Sequence, residues 1–176
     1  MDTLAHSLMG AALFSRTGLA GGRRGPVDRQ GRRRRLDWTF WAAVGFGLAP
    51  DALSIGLHFA AQMWTTGRME WRGMPGYVFL SYNLLHSLPV AAMVWLCLYR
   101  FRRAWILPAL AWPFHIVTDV FTHGSGVFLT PVFWPFSTYR FHGVSWWENS
   151  VLFKMIWAAT IGLWLLVGWL RTRPAR

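Results

Sequence analysis

The stretch WILPALAWPFHIVTDVFTH, residues 105–123, is apolar over most of its length and ends in side chains that can titrate and bind metals. His115, Asp119 and His123 are spaced by four residues, so on an α-helix they lie close to one face. One interpretation is a metal-binding face. The other is an ordinary helix end that emerges into water and carries polar residues, and residues 115–123 alone leave both open. The rest of the chain has to decide between them.

Long apolar blocks account for most of the chain. Of its 176 residues, 54% are hydrophobic and 17% are aromatic, more than a soluble domain of this size needs for its core. Four blocks approach the ~20 residues with which a helix crosses a bilayer: 38–64, 78–99, 105–122 and 151–170. Residues 2–20 carry a weaker apolar stripe that could either span the membrane or pack against the other helices. The sequence therefore predicts an all-α integral membrane bundle of about five helices, built as one domain over residues 1–176.

The formal net charge of +11 comes largely from arginines, and most of these fall in three clusters. The clusters lie in the loop 21–37, in the turn 100–103 and in the tail 171–176, and five alternating helices place all three on one side of the membrane. By the positive-inside rule, that side is the cytoplasm. We therefore expect the basic loop 21–37 to contact anionic lipid headgroups and do not expect a nucleic-acid partner.

The loop 123–149 is expected on the opposite, outer side of the membrane. It is too long and too aromatic to be a passive connector. Its aromatic residues fit the interfacial belt of membrane proteins, and they include Trp134, Tyr139, Trp146 and Trp147. We expect this loop to fold over the outer ends of the helices as a lid.

Titratable side chains from different helices are expected to converge beneath that lid. Counting along the predicted helices places four of them at similar depth near the outer face: His6, His86, His115 and Asp119. Asp51 lies deeper by this count. The adjacent Pro50 removes a backbone hydrogen bond, however, and predicts a kink or break from which the helix tilts inward.

Carboxylates inside a membrane need partners, because an unpaired charge there costs at least a few kcal/mol. Asp51 and Asp119 would repel each other unless protons or a cation lie between them. A divalent cation neutralises both acids at once and uses neutral imidazoles as further ligands. The mixed nitrogen and oxygen set favours zinc or another divalent transition metal over calcium or magnesium. A purely structural polar cluster is the alternative.

The order of these motifs resembles a known family. DTLAH, LAPD, LLHS, HIVTDVFTHG and PFS follow one another as in the YdjM family of membrane-bound metal-dependent hydrolases, described as LexA-regulated in bacteria. The resemblance covers nearly the whole chain. A more distant similarity links the same order to zinc-dependent phospholipase C and single-strand nuclease, which are helical enzymes with a trinuclear zinc cluster.

The resemblance implies specific roles for residues of this chain. Four residues would surround one metal, namely Asp51, His86, His115 and Asp119. Asp119 would bridge to a second metal that also binds His6. A third ion has no second HxxxD or HxxxE motif to hold it, so His123, His142 and Glu148 are the available substitutes. One to three zinc ions are therefore expected.

These expectations combine into a functional hypothesis. The chain is predicted to be a metal-dependent hydrolase of the bacterial inner membrane, with its site on the outer side and a phosphoester of a lipid or lipid-linked molecule as substrate. Asp119, Glu148 and His142 are the catalytic candidates, the latter two as general acid or base. One alternative is a metal-ion transporter or a metal-binding membrane protein without hydrolase activity. Another is a haem or quinone protein with His86 and His115 as axial ligands.

Overall fold

A computed structural model describes residues 2–24, 36–124, 126 and 128–172, and every regular element within these ranges is helical. The predicted all-helical class is therefore confirmed for the described residues. The α-helices are α1 (Thr3–Phe14), α2 (Trp38–Asp51), α3 (Leu57–Thr66), α4 (Gly76–Leu85), α5 (Leu88–Phe101), α6 (Ile106–Ala109), α7 (Ala111–Thr122) and α8 (Ser150–Thr172). Short 3₁₀ segments cover Leu19–Arg24 and Arg103–Trp105, and a π-helix covers Ala52–Gly56.

Three helical stretches of the described chain are long and apolar enough to cross a membrane: Trp38–Thr66, Arg103–Thr122 and Ser150–Thr172. They coincide with three of the four blocks predicted from the sequence. The fourth block is a pair of helices, α4 and α5, bent by 57° with respect to each other. It counts as a further span only if the bent pair crosses as one unit.

The bend between α4 and α5 has a local cause. Ser87 caps α5 by accepting a hydrogen bond from the Val90 N–H, and Pro89 occupies the first turn of that helix. A proline there cannot donate to the carbonyl of Leu85, and its ring clashes with a continuous helix. The sequence predicted one uninterrupted span over 78–99, whereas the structure places His86 and Ser87 at a break within it.

Helix α1 is largely buried and is shorter than a membrane span. Its 12 residues measure about 18 Å, less than the ~30 Å hydrocarbon core of a bilayer. It packs against α2, α7 and α8. The backbones approach closely because small residues lie between them: a Cβ built on Gly10 would lie 2.8 Å from the Ala111 Cβ, and one on Gly47 would lie 3.0 Å from the Ser7 Cα. Of the two options for residues 2–20, the structure shows packing by a helix shorter than a span.

The chain around Pro50 remains helical. Pro50 lies inside α2, Asp51 is the last residue of that helix, and the π-helix continues into α3. The sequence predicted a kink or break here; the structure shows a locally wider turn instead, which accommodates the missing proline donor within a continuous stretch. This turn carries Asp51 to the level of the other titratable groups.

The loop 123–149 is held at both ends by hydrogen bonds to the helices. The N–H groups of Gly143 and Trp146 donate to the carbonyls of His123 and Thr122 at 2.8 and 3.1 Å. Further along, the Val132 carbonyl accepts from the Leu88 N–H at 2.9 Å. Residues 125 and 127 lie outside the described residues, as do residues 25–35, which make up most of the predicted basic loop 21–37.

Candidate metal centre

Four of the predicted ligands converge at one point. Asp51 at the end of α2, His86 at the break between α4 and α5, and His115 and Asp119 on α7 each offer a ligand atom, and these atoms lie within 4.8 Å of one another. We call this set the four-donor cluster. Its formation brings together residues up to 68 positions apart in sequence, and it confirms that the structure contains a possible metal-binding group.

The spacing of the donors suits a four-coordinate ion. The His86 Nε2 and His115 Nε2 atoms are 3.3 Å apart. Asp51 Oδ1 lies 3.3 and 3.6 Å from these two nitrogens, and Asp119 Oδ2 lies 3.5 and 3.2 Å from them. Ligands bound at 2.0–2.1 Å around a tetrahedral centre are about 3.3 Å apart. Five edges of the cluster therefore match the size of such a coordination shell.

Backbone carbonyls orient both histidines of the cluster. His115 Nδ1 lies 2.7 Å from the Gly47 carbonyl, and His86 Nδ1 lies 3.0 Å from the Tyr82 carbonyl. A carbonyl oxygen only accepts, so each Nδ1 carries the proton and donates it. The neutral rings consequently direct their Nε2 lone pairs into the cluster. This is the orientation in which a histidine binds a metal.

The cluster has an excess of lone pairs and little access to water. The side chains of His86, His115 and Asp119 are fully buried, and that of Asp51 is 19% exposed. Two carboxylates and two imidazole nitrogens face one another, and each of these four atoms accepts hydrogen bonds. A divalent cation at their centre removes the repulsion between them. The donor chemistry and the spacing thus both fit a metal.

Asp119 also faces a second pair of histidines through its other carboxylate oxygen. Asp119 Oδ1 lies 2.7 Å from His6 Nε2 and 3.2 Å from His123 Nδ1. His123 follows the last residue of α7 and has an extended backbone, so it is no longer on the helix that the sequence predicted. The contact with Asp119 is nevertheless made. All six predicted metal ligands therefore lie at or next to Asp119.

Two threonines complete the surroundings, and neither was recognised in the sequence. The Thr3 hydroxyl donates to Asp51 Oδ2. The Thr118 hydroxyl lies 3.0 Å from His6 Nδ1. Thr3 is 48 positions from Asp51, so no local pattern signals its contact. Thr118 directly precedes Asp119 in the HIVTDVFTH segment, and its position beside the ligand face was the available signal.

The other polar candidates do not belong to the four-donor cluster. Glu148 and His142 are exposed residues of the loop 123–149. Neither is among the described residues that line the adjoining cavity, although His123 and Trp147, one residue from Glu148, are. His58 is buried, and its Nδ1 lies 2.8 Å from the Tyr77 hydroxyl, away from the four-donor cluster.

A cavity of about 730 Å³ connects this centre with the outside. Asp51, Thr3 and His123 are among the residues that line it. The cluster therefore has a buried side, formed by His86, His115 and Asp119, and an accessible side at Asp51.

Comparisons with protein-family models, with curated proteins and with solved structures found no match for this chain. The site geometry is therefore the basis for any functional conclusion. That geometry provides a preoriented nitrogen and oxygen set with three fully buried residues, one partly exposed carboxylate at Asp51 and an adjoining cavity. Such an arrangement can hold a metal and admit a ligand next to it.

Proposed function

We propose that this chain is a membrane-embedded, zinc-dependent hydrolase that acts on a phosphoester of a lipid or lipid-linked substrate, as in the YdjM-type family it resembles. The observation that carries the proposal is the four-donor cluster, whose buried ligand atoms lie within 4.8 Å of one another beside a cavity. Zinc is the preferred ion because imidazole and carboxylate ligands with four-coordinate spacing suit it.

The residues at the centre have different proposed roles. Asp51, His86, His115 and Asp119 hold the metal, which when bound supplies Lewis-acid polarisation of the substrate and acidification of a water molecule. The Gly47 and Tyr82 carbonyls fix the two imidazoles through their Nδ1–H groups. Asp119 also contacts His6 and His123, which supports a second metal on that side with Asp119 as the bridge.

Glu148 and His142 are proposed to move protons from the loop 123–149. Their neighbours support this assignment: Trp147 lines the cavity, and the Gly143 N–H donates to the His123 carbonyl at 2.8 Å. Glu148→Gln should retain the metal and reduce turnover about 10²- to 10⁴-fold, because a general acid or base contributes that much. Unchanged turnover in both Glu148→Gln and His142→Gln would remove the loop from the mechanism.

A lipid substrate follows from the surroundings of the site. Two of the three span-length apolar stretches carry ligands of the centre, the third packs against α1, and most of the cavity lining is apolar. We infer a five-helix bundle in the bacterial inner membrane, with the basic loop 21–37 on anionic cytoplasmic headgroups and the metal centre toward the outer side. The arginine clusters support this orientation.

Thiol labelling tests the orientation. In a Cys97→Ser background, Met74→Cys should react with an impermeant thiol reagent added outside the cell, and Arg102→Cys should not. Met74 follows the span-length stretch Trp38–Thr66, and Arg102 directly precedes the span-length stretch Arg103–Thr122. Reversed labelling would direct the centre toward the cytoplasm and contradict the proposed access from the outer leaflet.

Hydrolysis is tested with purified protein in nanodiscs and a panel of phospholipids, polyprenyl phosphates and nucleotides. Activity on a lipid phosphoester should be lost with a chelator and return with zinc, since the metal supplies the activated water. His58→Ala is the matched control, because this histidine lies outside the four-donor cluster. Zinc flux into liposomes without hydrolysis of any panel member would favour the transporter instead.

A further inference from the structure

The cavity beside the metal centre has two chemically different parts. One part consists of the polar side chains of Thr3 and Asp51, with Asp51 belonging to the four-donor cluster. Elsewhere the lining is dominated by apolar and aromatic side chains. A volume of about 730 Å³ is in the range of sites for small molecules, ~300–1,000 Å³.

One wall of the cavity is a row of aromatic rings from separate parts of the chain. Phe59 of α3 packs edge-on against Trp71 with ring centroids 4.5 Å apart, Trp71 packs against Phe128 at 6.2 Å, and Phe128 packs against Tyr82 at 5.0 Å. Tyr82 stacks on His86 at 3.9 Å. The row therefore leads from the outer turn after α3 down to a histidine of the metal centre.

A second group of lining residues belongs to the loop 123–149 and the end of α7. It consists of His123, Trp146 and Trp147, and the His123 and Trp147 rings are 5.5 Å apart. The backbone N–H of Trp146 donates to the Thr122 carbonyl and so holds this residue at the end of α7. Both groups of lining residues thus present largely flat aromatic surface, which suits an extended apolar chain.

The π-helix after Asp51 contributes a third group of lining residues. Ala52, Ile55 and Gly56 all line the cavity, whereas Leu53 in the same π-helix and Leu57 at the start of α3 are 51% and 59% exposed. The residues that directly follow the Asp51 ligand therefore also line the cavity.

The charges of the lining define the two ends of a ligand. Among the described lining residues there is no lysine or arginine, so a ligand with an anionic group has its cationic partner only at the metal centre. The remainder of the ligand meets apolar walls. A molecule that satisfies both parts is an amphiphile with one anionic head and one apolar chain.

We propose that this cavity binds a single long alkyl or polyprenyl chain of the substrate, between the aromatic row and the loop 123–149, with the phosphate at the Asp51 end. Ile55 is then a specificity-determining residue, because its side chain lies beside the path of the chain. The position of the phosphate next to the metal centre depends on the proposed function. The site for the apolar chain depends only on the cavity.

The test compares two substitutions of equal size on one segment. Ile55→Trp should fill the cavity, whereas Leu57→Trp adds the same indole on an exposed face and is the control. The probes are hexadecyl phosphate and ethyl phosphate, and bound molecules are counted by native mass spectrometry of the zinc-loaded protein. Helical content and zinc content should be equal in all three proteins. Ile55→Phe serves as a milder filling variant if Ile55→Trp does not fold.

We expect wild type and Leu57→Trp to retain hexadecyl phosphate over ethyl phosphate, and Ile55→Trp to lose this preference by about tenfold or more. Equal retention in Ile55→Trp and wild type, or equal loss in both variants, overturns the chain site. The proposed function fails separately, if no panel phosphoester is hydrolysed while the binding pattern holds. Conversely, chelator-sensitive hydrolysis with an unchanged long-chain preference in Ile55→Trp refutes the chain site alone.

Discussion

The two oxygens of the Asp119 carboxylate lie in different environments, although they belong to the same group. Asp119 Oδ2 faces the Nε2 atoms of His86 and His115 at 3.5 and 3.2 Å, with Asp51 opposite. Asp119 Oδ1 faces His6 Nε2 at 2.7 Å and His123 Nδ1 at 3.2 Å. The first side combines two carboxylates with two imidazoles, and the second combines one carboxylate oxygen with two imidazoles.

This difference decides how each side can be satisfied. A proton on His6 Nε2 turns its contact with Asp119 into an ordinary short hydrogen bond. On the Oδ2 side, both histidines already donate their Nδ1 protons to carbonyls, and the facing atoms are all acceptors. An excess of oriented lone pairs therefore distinguishes a metal centre better than the number of histidines does.

The largest expected effect comes from the residue that both sides share. Asp119→Asn should abolish metal binding and hydrolysis, because it removes a charged ligand from the cluster and the bridge to His6. Elemental analysis of the purified variant measures the metal, and circular dichroism should show unchanged helices because the apolar spans remain intact. Metal retained at the wild-type level would refute the assigned ligand set.

Removing a ligand of the Oδ2 side alone should have nearly the same consequence. His115→Ala should lose metal and turnover, because three donors remain where the geometry provides four. His58→Ala is the matched control, since that histidine is also buried but pairs with Tyr77. A comparable loss of metal in both variants would indicate general destabilisation and would contradict the assignment of the four-donor cluster as the metal site.

A smaller effect is expected on the Oδ1 side. His6→Ala leaves the four-donor cluster complete, so at least one metal ion per chain should remain while any second ion and part of the activity are lost. Elemental analysis of the variant against wild type gives the stoichiometry. If His6→Ala emptied the protein of metal, the two sides would form one inseparable site.

The smallest effect is expected from Thr3, which acts through Asp51. Thr3→Val should weaken metal binding about 10- to 100-fold, the usual effect of removing a hydrogen bond to a ligand, and Thr3→Ser should restore it because the hydroxyl returns. A zinc-competition titration measures both affinities. Equal weakening in the valine and serine variants would show that Thr3 contributes packing and not orientation.

Part of the metal centre follows from the sequence because two of its ligands, His115 and Asp119, lie on a regular helix. The four-residue spacing of His115 and Asp119 puts them on one face of α7, and the depth count brings them level with His86. Asp51 required a second argument, from Pro50, and the π-helix that follows shows the mechanism. Ligand convergence is thus predictable wherever helical periodicity sets the direction of the side chains.

The remaining features depend on contacts that periodicity does not encode. The bend at His86 was signalled by Ser87 and Pro89, a helix start pattern hidden inside an apolar block. The contacts of Thr3 with Asp51 and of His115 with the Gly47 carbonyl join positions 48 and 68 residues apart. The aromatic row likewise joins rings from two helices and two loops, so the cavity forms only once the chain has folded.

X-ray absorption at the zinc edge on purified, zinc-loaded protein tests most directly whether the four-donor cluster binds a transition metal. We expect about one or more zinc ions per chain in a shell of nitrogen and oxygen only, at about 2.0–2.1 Å, with imidazole scattering that decreases in His115→Ala. A protein that retains no zinc, or a shell with sulfur from Cys97, or a spectrum unchanged by His115→Ala would contradict it.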